Sequence, residues 1–550
     1  MKRIYILLFI FCFSFTMQSQ LLSGDQDKFT RADTLRGSLR PERTSFDVLS
    51  YNLDIKLDPD KQYLSGFNKI KFKIIENTSR IQLDLFQNMK VDSIVYNNKI
   101  LSYERDENAV FINFNKQLRN GNIESIQFYY SGYPLVAKNA PWDGGFVFSK
   151  DKNGKHFIGV AVQGTGASLW YPNKDHQSDE PNSADIKVSV PNGLMNVSNG
   201  RLIKETPLNN GYTKWHWRVE QPINNYNITL NIADYVHFED NYKDLNLNYY
   251  VLKQNLEAAK RQFEQVKPMM DCFYDKFGEY PFKKDGYKLV ETPYLGMEHQ
   301  SAVAYGNGYQ NGYLGNDMSG TGVGLKWDFI IIHESAHEWF GNSVSAADIA
   351  DMWIHESFTA YAESVYVECE FGKKDAITYL FGLRKIISND RPIIGEYGVN
   401  HEGSGDMYYK GANMLNTLRS VINNDEKWWN LMKEFHETFK YQTIHTDNVI
   451  EFYNKRTEEN LEPIFNQYLN YTSIPELQLK FDDNNKLYMR WETDVNDFKM
   501  PIEFQNSSEK TVIRENVTNH WKLIEIELED VDELAINKYG YYINIKKIRK

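Results

Sequence analysis

The sequence of 550 residues is longer than one ordinary domain, and its 41% apolar and 14% aromatic content can build several cores. That composition excludes a disordered or fibrous protein. Acidic residues outnumber basic residues 74 to 62, so the chain carries a net charge of -12. It therefore lacks the basic surplus of a nucleic-acid-binding protein, and no nucleic-acid partner is expected.

Residues 1–20 are predicted to form a secretory signal peptide. Lys2 and Arg3 precede an apolar run from Ile4 to Phe15, and small or polar residues follow it. The run is too short to span a bilayer, which favours a cleaved signal over a permanent anchor. We therefore expect an exported protein, whether periplasmic, secreted or surface-associated, with no stable membrane span after signal removal.

The segment from about residue 44 to residue 251 has the pattern of β-strands. Tyr51, Leu53, Ile55 and Leu57 alternate with polar residues, and similar runs follow between turn residues. Such alternation is typical of antiparallel sheet with one face in water.

Helical periodicity replaces this alternation in the middle of the chain. Predicted helices cover residues 255–277, 326–340, 353–370, 409–422 and 428–439. Alternating apolar residues return after Pro475. These changes predict a multi-domain α+β protein with an N-terminal β domain at 40–250, a mixed domain at 251–472 and a C-terminal β domain at 473–550.

Two cysteines follow the predicted signal peptide, Cys272 and Cys369. A disulfide between them is compatible with an oxidising compartment. Each cysteine nevertheless lies in an apolar helical pattern, which favours buried free thiols.

The helix predicted at 326–340 contains an HExxH motif, His333-Glu334-Ser335-Ala336-His337. Two histidines four residues apart on a helix project from the same face and can reach one metal ion. Glu334 lies between them and is placed to polarise a water molecule at that ion.

The expected third ligand is Glu356, which stands nineteen positions after His337 on the next predicted helix. Two imidazoles and one carboxylate form an open site of the catalytic kind, and zinc suits them, with one ion per chain. Cobalt and manganese are compatible with the same ligands. The adjacent His355 projects about 100° away on the helix and is not an expected ligand.

The segment from His333 to Phe358 resembles the gluzincin zinc aminopeptidases, relatives of aminopeptidase N and of the leukotriene hydrolase-aminopeptidases. In that family eighteen residues separate HExxH from the glutamate ligand, as they do here. The resemblance implies a saddle-like N-terminal β domain, a thermolysin-like α/β catalytic domain and a short C-terminal β-sandwich. The long C-terminal helical domain of many relatives looks absent, so we expect a more open cleft or closure as a homodimer.

A second family signature appears as Leu295-Gly296-Met297-Glu298-His299. Met297 and Glu298 match the signature, whereas Leu295 and His299 depart from it. By resemblance Gly296, Met297 and Glu298 bind substrate, and Glu298 receives the free α-amine. A carboxylate near the metal is suited to that role because it attracts an ammonium group.

Two further residues are carried over by resemblance. Tyr408, in Tyr408-Tyr409-Lys410, corresponds to the family tyrosine that donates to the oxyanion of the transition state. Gln163 corresponds to a residue of the β-domain loop that forms the first substrate subsite. Glu363 has the spacing of a group that orients a histidine, although a structural role is favoured.

These residues predict a zinc-dependent aminopeptidase acting on peptides with a free N-terminus. His333, His337 and Glu356 hold the metal, and Glu334 and Tyr408 are catalytic. The alternatives are a zinc endopeptidase, an epoxide-hydrolysing relative, and an inactive peptide-binding homologue.

Overall fold

The computed structural model describes residues 29–482, 486–506, 511–526 and 534–548. The predicted signal peptide at residues 1–20 lies outside the described residues. Among the described helices, none combines the length and apolar character needed to cross a membrane.

The N-terminal domain consists almost entirely of β-strands. Two short helices precede them, α1 (Arg31–Gly37) and α2 (Pro41–Thr44). The strands are β1 (Phe46–Asp58), β2 (Tyr63–Ile74), β3 (Thr78–Asp84), β4 (Met89–Tyr96), β5 (Lys99–Ile100), β6 (Ser102–Asp106), β7 (Ala109–Leu118), β8 (Ile123–Gly132), β9 (Gly145–Lys150), β10 (His156–Ala161), β11 (Ser183–Pro191), β12 (Met195–Val197), β13 (Arg201–Pro207), β14 (Tyr212–Val219) and β15 (Asn231–Ala233). They form an eight-stranded sheet in the order β13-β14-β11-β1-β2-β8-β4-β5 and two smaller sheets, β12-β15-β10-β9 and β3-β7-β6.

Strand β1 illustrates why the N-terminal segment folds as sheet. Tyr51, Leu53, Ile55 and Leu57 are buried, while the polar residues between them are half-buried or exposed. Successive side chains of a strand point to opposite faces, so this alternation places one face on the core and the other toward water.

The central domain combines a five-stranded sheet with helices. Its elements are β16 (Tyr235–Tyr242), β17 (Leu245–Leu252), α3 (Leu256–Gln262), α4 (Val266–Phe277), β18 (Tyr287–Glu291), β19 (Gly296–Met297), β20 (Val303–Tyr305), α5 (Phe329–Ala336), β21 (Val344–Ala346), α6 (Trp353–Phe371), α7 (Lys373–Leu383), α8 (Tyr409–Ile422), α9 (Asp425–Phe439), β22 (Gln442–Ile444), α10 (Thr446–Thr457) and α11 (Glu462–Asn470). The sheet has the order β16-β17-β18-β20-β19. The central sheet therefore starts at Tyr235, whereas the sequence pattern places the domain boundary at residue 250.

The central sheet separates two hydrophobic cores. In β18, Leu289 packs into the core of the helices, whereas Val290 packs into the core of the N-terminal domain. In β20, Val303 and Ala304 divide in the same way. Strand β19 pairs antiparallel with β20, so the residue that follows it, Glu298, lies at the junction of the two domains.

The prediction of free thiols is wrong, because Cys272 and Cys369 form a disulfide. Cys272 lies on α4 and Cys369 in the last turn of α6, with their Cα atoms 5.9 Å apart. The apolar helical pattern correctly indicates that both cysteines face a core. It cannot show that α4 and α6 pack side by side, which is what brings the two sulfurs together.

The C-terminal region is a small pair of β-sheets. Its described strands are β23 (Glu476–Phe481), β24 (Leu487–Glu492), β25 (Lys499–Asn506), β26 (Val512–Thr518), β27 (Lys522–Ile524), β28 (Leu534–Ile536) and β29 (Asn544–Ile548). One sheet has the order β27-β24-β23-β29 and the other β26-β25-β28. Leu479 and Trp491 from the first sheet and Ile502 and Phe504 from the second are buried in one cluster, as a short β-sandwich requires.

Candidate active site

Helix α5 carries the HExxH motif, with His337 as its C-cap residue, and is fixed at its first turn by Asp328. The Asp328 carboxylate accepts hydrogen bonds from the backbone N–H groups of Ile330 and Ile331 at 3.1 and 3.3 Å. It also accepts one from the Tyr305 hydroxyl of β20 at 2.7 Å. This N-cap joins the helix to the central sheet and sets the position of the histidines that follow.

The three predicted metal ligands converge in the structure. His333 Nε2 and His337 Nε2 lie 3.8 and 3.5 Å from Glu356 Oε2. The three donor atoms are within 4.8 Å of one another, and all three residues are buried. Zinc bonds of about 2.1 Å at tetrahedral angles separate donors by roughly 3.4 Å, so the arrangement fits one zinc ion.

The electrostatics of this site also favour a cation. Glu356 Oε2 is buried and has no hydrogen-bond partner among the described residues, a costly state for a carboxylate oxygen. Burial opposes a charge on His337, yet the carboxylates of Glu356 and Glu298 raise the pKa of His337 to about 10. Positive charge is thus stabilised where the three donor atoms meet.

The outer nitrogen of each imidazole is held by a partner. His333 Nδ1 lies 2.7 Å from Glu363 Oε1, and the other oxygen of Glu363 accepts a hydrogen bond from Tyr379 at 2.7 Å. His337 Nδ1 lies 3.0 Å from the carbonyl oxygen of Phe340. These contacts leave both Nε2 atoms directed at Glu356, which is how orienting partners prepare histidine ligands. Glu363 is therefore an orienting group, contrary to the structural role favoured by the sequence.

A second carboxylate, Glu298, lies beside the metal ligands. Its Oε1 accepts hydrogen bonds from Gln163 Nε2 at 2.6 Å and from the Tyr226 hydroxyl at 3.1 Å. Gln163 Nε2 also lies 3.4 Å from Glu356 Oε1. Gln163 comes from the β domain and Glu298 from the end of β19, so this part of the site is assembled from both domains.

Gly296 allows strand β19 to approach helix α5. A Cβ atom at this position would lie 2.8 Å from Glu334 Oε1 and 2.9 Å from Ile330 Cγ2. Any larger residue would press on the Glu334 carboxylate. Burial and the neighbouring Glu298 carboxylate raise the pKa of Glu334 above its ordinary value.

Tyr408 lies at the start of α8, beside the metal ligand His333. Its ring is stacked at 6.0 Å from the ring of His333. Burial and nearby carboxylates, first among them Glu356, raise the pKa of Tyr408 well above its ordinary value. The phenol is therefore protonated at neutral pH and is able to donate a hydrogen bond.

The remaining predicted residues have packing roles or lie beside the site. Met297 is buried in the N-terminal core and pairs with Ala304 across the sheet. His355 Nε2 accepts a hydrogen bond from the backbone N–H of Ala346 at 2.8 Å, so it is not a metal ligand, as predicted. His299 is buried, and burial lowers the pKa of His299 to about 3. Despite the departures from the family signature at Leu295 and His299, β19 is formed and Glu298 lies beside His337.

Two polar partners of Glu298 were not predicted from the sequence. Tyr226 is one of 36 tyrosines and belongs to no recognised motif. Asn342 Nδ2 donates to the backbone oxygen of Glu298 at 2.8 Å. Asn342 stands five residues after His337, inside the segment from His333 to Phe358 that resembles the family, but no role was predicted for it.

Comparison with known families agrees with this geometry. The model described as the Peptidase M1 N-terminal domain matches residues 48–226, and the Peptidase family M1 domain matches residues 261–468. The chain belongs to peptidase family M1. Membership confirms the resemblance to the gluzincin aminopeptidases, and the M1 architecture confirms the predicted multi-domain fold.

Individual M1 relatives are distant in sequence. Leucyl aminopeptidase of Saccharolobus solfataricus is 23% identical over 300 residues, which are 54% of this chain and 36% of that protein. Aminopeptidase B of Rattus norvegicus is 26% identical over 285 residues, which are 48% of this chain and 41% of that protein. The chain thus spans well under two thirds of these relatives.

An M1 zinc metallopeptidase from Deinococcus radiodurans, solved as a mutant with a Tyr-Ser-Ala substrate, has a similar fold. The TM-score is 0.64 at 19% identity, and the match covers 78% of this chain and 96% of that one. The shared M1 fold thus extends over most of the described chain.

Proposed function

We propose that this M1 protein is a zinc-dependent aminopeptidase that removes N-terminal residues from peptides. The observation that carries the proposal is the position of Glu298 next to the metal ligands. Donor atoms of Glu298, Glu334 and His337 lie within 4.8 Å of one another. A carboxylate this close to the metal ligand His337 is suited to hold the ammonium group of an N-terminal residue whose carbonyl faces the metal.

His333, His337 and Glu356 are the residues that would hold zinc. When bound there, zinc supplies Lewis acidity toward the attacking water and the scissile carbonyl. The side chains do the rest of the work. Glu334 accepts a proton from the water and delivers it to the leaving nitrogen. The protonated phenol of Tyr408 donates a hydrogen bond to the developing oxyanion, a role that electrostatic preorganisation makes effective.

Glu298 and Gln163 bind the substrate's α-ammonium group. Burial raises the pKa of Glu298, as does the nearby Glu356 carboxylate, although His337 opposes the shift. An arriving ammonium group would favour the ionised form of Glu298 and replace the unfavourable contact between carboxylates with an attractive one. The free amine is thereby both recognised and positioned.

A panel of amino-acid arylamides tests the proposal. The wild-type protein is expected to hydrolyse arylamides with a free amine and to leave the N-acetylated counterparts intact. A chelator should abolish this hydrolysis, and zinc should restore it. Equal cleavage of blocked and free peptides would indicate an endopeptidase, and peptide binding without turnover would indicate an inactive homologue. Turnover of epoxides alone would indicate the epoxide-hydrolysing relative.

We also propose that the protein is exported. The apolar run at residues 4–15 supports this, as does the disulfide between Cys272 and Cys369, because disulfides persist in oxidising compartments. N-terminal sequencing of the protein from fractionated cells tests the proposal, and an intact Met1 in the cytosolic fraction would contradict it. A homodimer stays a prediction, which light scattering can check.

A further inference from the structure

Helix α1 lies against the loop that carries Gln163. Residues 29–47 precede the stretch matched by the family's N-terminal domain, which starts at residue 48. Arg36, near the end of α1, directs its guanidinium group at this loop. Arg36 Nη1 donates to the carbonyl oxygens of Gly164 and Thr165 at 2.6 and 2.7 Å, and Nη2 donates to Asp175 at 3.1 Å.

This guanidinium contact is well suited to hold a loop in one conformation. The Arg36 side chain is 17% exposed and the Asp175 side chain 2% exposed, so water competes little for the hydrogen bonds. A guanidinium group has donors in a fixed planar arrangement and can bind several oxygens at once. The two carbonyl groups it binds belong to the residues directly after Gln163.

The backbone of the 162–166 loop packs directly against the guanidinium group of Arg36. Gly164 and Gly166 have φ angles of +72° and +107°, which few other residues adopt. A Cβ atom on Gly166 would lie 2.5 Å from Arg36 Cζ and 2.4 Å from Asp175 Oδ2. The loop can therefore adopt this path only with a glycine next to the guanidinium group. Gln163 Nε2 then lies 2.6 Å from Glu298 Oε1.

Helix α1 is itself held against the N-terminal domain, which fixes the backbone position of Arg36. Leu35 is buried against Ala109 and Phe111 of β7. The backbone oxygen of Leu35 accepts a hydrogen bond from Gln82 Nε2 at 3.0 Å. These contacts attach the helix to the N-terminal domain independently of the Gln163 loop.

Helix α1 and Phe29, which precedes it, also contact the central domain. The backbone N–H of Asn400 donates to the carbonyl oxygen of Asp33 at 3.0 Å, and the rings of Phe29 and His401 meet edge to face at 5.1 Å. Gly37 packs so closely on Val399 that a Cβ would lie 2.1 Å from its carbonyl carbon. Helix α1 thus joins the Gln163 loop to the segment that leads to Tyr408.

We propose that Arg36 is a positioning residue for substrate binding, which holds the 162–166 loop so that Gln163 faces Glu298 and the incoming α-amine. The inference rests on the proposed function, since it names a residue that prepares the amine subsite. Its role is indirect, since its guanidinium group donates to the carbonyl groups of Gly164 and Thr165 and acts on the substrate through the loop.

The test measures peptide affinity separately from turnover. In a Glu334→Gln background loaded with zinc, calorimetry gives the Kd of a tripeptide with a free N-terminus. Arg36→Ala is expected to raise this Kd about tenfold, the size of one lost orienting contact. In the otherwise wild-type enzyme the same change should raise KM for a free-amine arylamide and leave kcat nearly unchanged.

A double-mutant cycle separates positioning from a general structural role. In a Gln163→Ala background, Arg36→Ala should have little additional effect on Kd, because the residue that it positions is missing. Arg31→Ala is the matched control on the same helix, since that side chain is 66% exposed and pairs with Asp106 on the surface. It should leave Kd and KM unchanged.

Arg36→Lys covers the case in which Arg36→Ala fails to fold. A lysine keeps the charge but cannot reproduce the planar arrangement of donors, so an intermediate rise in Kd is expected. Unchanged Kd and KM in the folded variants would overturn the proposal, as would equal effects with and without Gln163. Failure of the proposed function is distinguishable: the wild-type protein would then not hydrolyse arylamides, whatever the effect of Arg36 on tripeptide binding.

Discussion

The metal half and the amine half of the candidate site are built in different ways. The metal half uses three ligands within one domain, His333 on α5, His337 at the C-cap of the same helix and Glu356 on α6. The amine half brings Glu298 from the central sheet to Gln163 and Tyr226 from the β domain. The first is compact and local in sequence, whereas the second depends on how two domains pack.

This difference separates two kinds of effect. Changes in the metal half should remove turnover of every substrate, because activation of water and stabilisation of the oxyanion are common to all of them. Changes in the amine half should act on binding and on the distinction between free and blocked N-termini. Variants in each half test whether the two halves behave independently.

Removal of the metal should have the largest effect. Dialysis against a chelator is expected to reduce arylamide hydrolysis to background, and stoichiometric zinc should restore it. Circular dichroism should show that the metal-free protein stays folded, because α5 and α6 contribute many apolar side chains to the large hydrophobic core. Full activity in protein shown by elemental analysis to lack metal would contradict the ligand assignment.

The next largest effect is expected for Glu334→Gln. Loss of a general base lowers kcat by about 10²- to 10⁴-fold. Zinc content should be unchanged, since Glu334 is not among the three ligands, and the tripeptide Kd should change little. Glu334→Asp is a matched control, because it keeps the negative charge but places the carboxylate one methylene group farther from the reacting atoms. A Glu334→Gln variant with wild-type kcat would show that another group accepts the proton.

Glu298→Gln tests the amine half. Loss of a charge-assisted contact with the ammonium group should lower kcat/KM for free-amine substrates by about 10- to 100-fold, mainly through KM. Zinc content should be retained. Tyr226→Phe removes only one hydrogen bond to Glu298 and should have a smaller effect in the same direction. A fall in kcat with unchanged KM would mean that the two halves are not separable.

The same contrast explains how much could be predicted from the sequence. His333, Glu334 and His337 lie within about one helical turn, so helix geometry alone predicts that they converge. Glu356 follows at the fixed spacing of the family motif. Gln163 and Glu298 are separated by 135 residues in the chain and meet at 2.6 Å. Their separation in the sequence does not indicate that they meet, so the assignment of both residues to the substrate site depended on family resemblance.

The roles of Arg36 and Tyr226 could be predicted neither from local spacing nor from family resemblance. Neither lies in a recognised motif, and their partners are 128 and 72 residues away in sequence. Alternation correctly predicted the β domain because it records which face of a strand is buried. It contains no information on which loop packs against which helix, and that packing decides what these two side chains touch.

Glu363→Gln should weaken zinc binding without removing it. The carboxylate beside His333 Nδ1 orients the imidazole and increases its basicity, and losing such a partner typically costs about 10- to 100-fold in metal affinity. At saturating zinc, kcat should fall only modestly. Tyr379→Phe removes the hydrogen bond to the other oxygen of Glu363 and is the milder comparison. Competition with a chelating dye measures the zinc affinity of each variant. An unchanged affinity would mean that His333 is oriented by the helix alone.

The disulfide should have the smallest effect on turnover. Cys272 and Cys369 are 97 residues apart, and closing a loop of that length typically stabilises a protein by about 2–4 kcal/mol, chiefly by restricting the unfolded chain. The double variant Cys272→Ser/Cys369→Ser should therefore lower Tm and the free energy of unfolding. Its kcat and KM at 25 °C should match the wild type, because the metal ligand Glu356 lies more than three helical turns before Cys369 on α6. A loss of turnover in the folded variant would mean that the last turn of α6 controls the position of Glu356, and that the metal half is less local than its sequence motif suggests.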